Sequence, residues 1–174
     1  MSIAKRDREA ILREGDCDAV VGEPDHLAID NRQRAVRLAR RPLESFLRRV
    51  RDEVGFRSAG VTVCLVSDTE IARLNETFRK KKGPTDVLSF PTVARRRPVR
   101  LGSKMVKPGK YLGDIAISPA TARRYARKHG RNFSNELQVL ILHGVLHLLG
   151  YDHESDRGEM DRVERKLRKR LGLA

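Results

Sequence analysis

Ser134–His153, SNELQVLILHGVLHLLGYDH, is the most apolar segment of the sequence, and its reading decides the fold. Leu137, Leu140, Ile141, Val145 and Leu148 recur at helical spacing and cover more than one side of a helix. The segment therefore predicts a central helix buried among other elements, with Ser134 as its candidate N-cap. His143 and His147 interrupt the apolar run four residues apart, which puts both imidazoles on one face, one turn apart. His153 follows six residues later, and a helix continued that far would carry it to another face. Gly150 supplies the remedy, because glycine readily takes the left-handed conformation that ends helices and turns Tyr151-Asp152-His153 back toward the first pair.

One histidine in a buried helix is by default a hydrogen-bonded core residue. Three within eleven residues, with a glycine at the turn between them, point instead to one shared ion. Three imidazoles on one side of a metal leave its other positions open to water or substrate, as in catalytic zinc sites. The expected metal ligands are His143, His147 and His153, and the expected cofactor is one Zn2+. His26 and His129 have no such company. His129 is accounted for by the dipole at a helix C-terminus, and neither is assigned a site.

Outward from this segment the chain alternates strands and helices. His26–Asn31 reads as a short first strand, and Arg40–Val54 as an amphipathic helix with Leu43, Phe46, Leu47 and Val50 on one side. Val61–Val66 is a β-branched strand that runs into Ser67-Asp-Thr-Glu70, a capping pattern at the start of a helix with Ile71, Leu74 and Phe78 inward. That helix ends before Gly83-Pro84, and Thr85–Phe90 is the next strand. Leu112–Ser118 is a further strand, followed by a helix with Pro119 in its first turn that reaches Gly130. A last helix spans Ser155 to Leu171. The expected fold is α+β: a single domain, a small mixed β-sheet packed against several helices, with the metal motif on the central helix in a metzincin-like arrangement.

The ends and one insertion fall outside this pattern. Residues 1–25 mix both charges and close on Gly-Glu-Pro, an arm before a domain of residues 26–172. Residues 92–110 hold seven Lys/Arg and no Asp/Glu, with two prolines and two glycines, and read as an exposed basic loop. The whole chain of 174 residues carries a formal net charge of +14, a field that gathers polyanions. No stretch approaches eighteen apolar residues, and charges break the N-terminal run where a signal peptide needs apolar residues. Cys17 and Cys64 lie far apart and outside any CxxC spacing. A cytoplasmic protein with reduced thiols and no membrane partner is expected.

The spacing H-x3-H-x2-G-x2-H resembles the zinc motif of the metzincin peptidases, but Gly144 stands where those enzymes carry their general-base Glu. Peptide hydrolysis by that route is disfavoured. Asp152 and Glu154 are close enough in sequence to serve as partners of a ligand histidine.

Three segments together, LNETFRKKKGPTDVLSFP (Leu74–Pro91), LGDIAIS (Leu112–Ser118) and HGVLHLLGYDH (His143–His153), resemble the YbeY family of bacterial endoribonucleases and rRNA maturation factors. Phe78 and Lys82 depart from that pattern, standing where the family often has Tyr and an acidic residue. The resemblance covers His26 to Gly172 and implies a zinc-binding α+β fold that cleaves single-stranded RNA. It implies a role in 16S rRNA 3′-end processing and small-subunit quality control, so rRNA and the small ribosomal subunit are the expected partners. It carries the three histidines over as metal ligands, with His143 in the catalytic set, and Arg79 as the functional arginine. A guanidinium near a metal suits a phosphodiester, since its planar fork binds the nonbridging oxygens. Lys80, Lys81 and Lys82, with Arg95, Arg96 and Arg97 of the basic loop, are the candidate contacts to the RNA backbone. Two rivals remain at this point: a zinc-containing assembly factor that binds RNA without cleaving it, and a zinc peptidase.

Overall fold

A computed structural model describes residues 26–56, 59–93, 98, 110–153 and 156–173. The arm 1–25, most of the basic loop with Arg95, Arg96 and Arg97, and Glu154 and Ser155 lie outside the described residues.

The run AGVTVCL forms strand β2 (Ala59–Leu65), and all seven of its residues are buried, as befits a strand with neighbours on both sides and both faces covered. Strand β1 (Leu27–Asn31) lies parallel to it on one side and β4 (Lys110–Ile117) parallel on the other. Strand β3 (Val87–Pro91) pairs antiparallel with β4, so the sheet is mixed, in the order β1-β2-β4-β3, with β3 at an edge. Five helices appear among the described residues: α1 (Arg40–Val54), α2 (Asp68–Arg79), α3 (Pro119–Lys128), α4 (Phe133–Leu148) and α5 (Glu159–Leu171).

Strand alternation sends side chains to two faces, and each face collects its own core. Val61, Val63, Leu65, Ile115 and Ile117 face one way and pack with α1, α4 and α5. Cys64, Leu88, Phe90 and Ala116 face the other way and pack with Ile71, Leu74 and Phe78 of α2. The stripe expected on α1 is buried in full, with Val54 added to it. On α4, Leu137, Ile141, Leu142, Val145, Leu146 and Leu148 are buried, which makes it the central helix of the first face.

Several boundaries differ from the sequence reading, three of them for a reason visible in the side-chain hydrogen bonds. The cap of α4 is Asn132, whose side chain accepts the Asn135 N–H at 3.1 Å, so the helix starts before Ser134, which lies inside its first turn. Helix α3 stops at Lys128, short of Gly130. Helix α5 begins at Glu159 rather than Ser155, because the Asp156 carboxylate accepts the N–H groups of Gly158 and Met160, both at 2.7 Å, and caps it there. Strand β3 begins at Val87, since Asp86 accepts the Val87 N–H at 2.9 Å and the Thr85 hydroxyl at 3.2 Å, closing a turn. Lys110, read as the end of the basic loop, is the first residue of β4.

Candidate metal centre

The last turns of α4 carry His143 and His147 side by side, with ring centroids 4.7 Å apart. The chain then turns as its glycine foretold. Gly150 has φ 91°, its N–H donates to the His147 carbonyl at 2.9 Å, and the Tyr151 N–H donates to the Leu146 carbonyl at 3.1 Å. This pair of reversed bonds is the Schellman closure of a helix, and the buried Tyr151 ring anchors it. The turn brings His153 back to 5.5 Å from the His143 ring and 5.3 Å from the His147 ring, centroid to centroid.

Ligand nitrogens of the three residues all lie within 4.8 Å of one another. Nε2 of His143 and Nε2 of His147 are 3.1 Å apart. Two nitrogens bound to one tetrahedral zinc at about 2.0–2.1 Å stand about 3.3 Å apart, so this pair is near ligating separation without rearrangement. The group can therefore hold a metal ion, and the donor set of imidazoles fits zinc.

The fit extends beyond the ligands to a residue the sequence reading missed. Nδ1 of His143 lies 2.9 Å from Oε2 of Glu164, a buried carboxylate on α5, whose other oxygen binds Arg168 one turn further on. Burial opposes ionisation of Glu164, but its hydrogen bonds to His143 and Arg168 and the Arg168 charge outweigh it and hold the carboxyl below its ordinary pKa. An ionised carboxylate accepts the Nδ1–H, which leaves the Nε2 lone pair of His143 turned to the shared centre. Burial, and then the neighbouring His143 and His153, push the pKa of His147 down to about 4. Its ring is thus neutral at pH 7, the state that ligates metals. Asp152 and Glu154 were the carboxylates expected beside the histidines. Glu164 escaped notice because it is 21 residues from His143 and adjacent only through helix packing.

Gly144 has a physical reason. A Cβ there would stand 2.7 Å from Cγ2 and 2.9 Å from Cδ1 of Ile115 on β4. The position after the first histidine is pressed against the sheet, and the Ser89 hydroxyl of β3 donates to the Gly144 carbonyl at 3.3 Å. A glutamate placed there would have to displace Ile115 before it could act as a base.

Arg79 is the last residue of α2 and is exposed, as are Lys80, Lys81 and Lys82 after it. Lys80 takes a left-handed φ of 57°, and the buried Asn75 ties the following loop by donating to the Gly83 carbonyl at 3.0 Å. Strand β3 lies between this helix end and the histidines. Phe90 meets the Phe78 ring at 5.3 Å on one face, while the adjacent Ser89 touches α4 on the other. Cys64 is a buried free thiol whose pKa burial pushes up to about 12, and it takes no part in the cluster.

Residues 28–172 match the sequence model of the family Endoribonuclease YbeY. The chain belongs to this family. Endoribonuclease YbeY of Solibacter usitatus is 40% identical over 153 residues, spanning 88% of this chain and 93% of that protein. Endoribonuclease YbeY of Koribacter versatilis is 44% identical over 131 residues, 75% of this chain and 76% of the relative. The solution structure of TM1509 from Thermotoga maritima is similar in fold, with a TM-score of 0.56 and 29% identity over 83% of this chain and 88% of that one. No helix among the described residues is long and apolar enough to cross a membrane.

Proposed function

We propose that this member of the YbeY family is a zinc-dependent endoribonuclease that cleaves single-stranded RNA in the maturation of the 16S rRNA 3′ end and in small-subunit quality control. The observation that carries the proposal is the convergence of His143, His147 and His153 with Glu164 bound behind the first of them. One Zn2+ held by the three histidines would supply a Lewis acid for a phosphoryl oxygen and for water. The residues of the chain do the rest. Glu164 holds the His143 ring in one tautomer, and the Gly150 turn fixes the approach of His153. Arg79 receives a nonbridging phosphate oxygen and steadies the negative charge that grows on the phosphate. Lys80, Lys81 and Lys82, and Arg95, Arg96 and Arg97, hold the backbone on either side. The working domain is residues 26–172, and the setting is the cytoplasm.

The relatives bear the name of an endoribonuclease, which does not favour a factor that only binds RNA. The contact between Gly144 and Ile115 does not favour a peptidase, because the motif's glutamate has no room. His143→Ala is expected to lose bound zinc and RNA cleavage together, measured as metal content and cleavage of a single-stranded RNA on one preparation. Retention of both overturns the proposal. Arg79→Ala is expected to keep the metal and lose cleavage, and equal cleavage by it and the wild type would assign the activity to a contaminant. A 2′,3′-cyclic phosphate on the products identifies the RNA 2′-hydroxyl as the nucleophile, and a free 3′-hydroxyl identifies water.

A further inference from the structure

Between Arg123 and Arg131, nine residues hold five Lys/Arg and no Asp/Glu: the second half of α3 and the turn into α4. All seven polar or aromatic side chains of this stretch, Arg123, Arg124, Tyr125, Arg127, Lys128, His129 and Arg131, are exposed. Cations at a helix C-terminus gain from the dipole, but one or two suffice for that, and five repel one another at this spacing. Two have carboxylate partners: Arg124 pairs with Asp68 at 2.7 Å and Arg131 with Glu136 at 3.5 Å. Among the described residues no carboxylate pairs with Arg123, Arg127 or Lys128.

An aromatic residue stands in the middle of this charge. Tyr125 is 40% exposed, one of two large hydrophobic side chains so exposed among the described residues. It is not loose. The His129 ring lies against it with centroids 4.0 Å apart and 35° between planes, and the Arg131 guanidinium sits 5.6 Å from its centre. His129 is itself held, its Nδ1 lying 2.9 Å from the Tyr125 carbonyl. A stacked ring ordered in advance, on a half-helix that carries Lys128 one turn on and Arg123 and Arg127 along its exposed flank, offers what single-stranded nucleic acid uses, bases on the rings and phosphates on the cations.

We infer that the C-terminal half of α3 is a second RNA-docking surface, separate from the histidine centre, with Tyr125 and His129 as the base platform and Arg123, Arg127 and Lys128 as phosphate contacts. From the α3–α4 turn to His143 is about ten residues of helix, so roughly 15 Å at 1.5 Å per residue. The inference rests on the proposed endoribonuclease reading for its ligand, and it assigns the surface to RNA held away from the cleaved bond.

The test is binding of a single-stranded 20-nucleotide RNA to the zinc-loaded full chain, by fluorescence anisotropy in the cold with a gel confirming that the RNA stays intact. Arg127→Gln/Lys128→Gln is expected to weaken binding and to flatten the dependence of log K on log salt by about 1.4, since each lost contact to a single strand removes about 0.7. Tyr125→Ala is expected to weaken binding by about fivefold or more with the salt slope unchanged, as loss of stacking does. Arg165→Gln/Lys166→Gln on α5 removes the same charge elsewhere and is expected to leave affinity within about twofold. Equal losses for both double variants would reduce the effect to net charge and overturn the inference, as would wild-type affinity in Tyr125→Ala. Circular dichroism on each variant separates lost binding from lost fold. Cleavage of a short RNA by the wild type tests the underlying reading by itself: if that fails while the α3 variants still lose binding, the endoribonuclease reading falls and the docking surface stands.

Discussion

At the scale of single residues, the histidine cluster depends on side chains outside it. Glu164 is buried, charged and committed on both oxygens, one to His143 and one to Arg168. Removing such a partner of a ligand histidine costs about 10–100-fold in metal affinity. Glu164→Ala is expected to show a loss of that size in chelator competition for zinc, and Glu164→Gln a smaller one, because the amide oxygen still accepts the Nδ1–H. Unchanged affinity in the alanine variant would remove Glu164 from the site. Gly144 sits under the opposite constraint, space. Gly144→Ala puts a methyl group 2.7 Å from Ile115, and overpacking of this kind costs about 1–3 kcal/mol, read as a lower urea midpoint. Gly144→Glu is expected to unfold the site rather than to create a peptidase, and peptide cleavage by it would contradict this account.

At the scale of elements, the helix that carries the histidines is fixed at both ends by different chemistry. Its start is held by Asn132, and replacing an N-cap of this type by alanine costs about 1 kcal/mol. Asn132→Ala is therefore expected to lower thermal stability, while Ser134→Ala, inside the first turn, is expected to change it by no more than about 0.5 kcal/mol. The reverse order would return the cap to Ser134. The two residues stand two positions apart and both are good caps, so local preference did not separate them. The choice was made by the turn from α3, where the Arg131 N–H bonds the Ala126 carbonyl and delivers the chain to α4 at Asn132. The C-terminal end is the contrasting case: Gly150 was readable because a helix closure of this kind needs a positive φ and glycine supplies it without strain.

Across the whole molecule, Asp68 joins the first turns of α2 and α3. Its carboxylate accepts from Ser118 at 2.5 Å and Thr121 at 2.8 Å and pairs with Arg124. Burial works against the ionised form, and these hydrogen bonds and the Arg124 charge outweigh it, so the folded pKa lies below the ordinary 3.8. The sign follows from linkage: the contribution is complete above the unfolded pKa and is lost as pH falls through the lower folded value. Asp68→Asn is expected to lower the urea midpoint near pH 6, with the gap to the wild type narrowing as the pH falls below 3.8. A constant gap across that range would show that the charge is not what joins the two helices.

Strands, helices and the histidine pair were legible in the sequence because each follows from a local signal: a β-branched run for β2, helical spacing for α1 and α4, four residues between His143 and His147. The glycine that returns His153 was legible for the same reason, being a property of one backbone position. Packing alone put Glu164 behind His143, pressed Gly144 against Ile115, and set β3 between the Arg79 end of α2 and the histidines. Those relations join residues distant along the chain, and no spacing rule carries them, because they exist only once the two faces of the sheet have been covered.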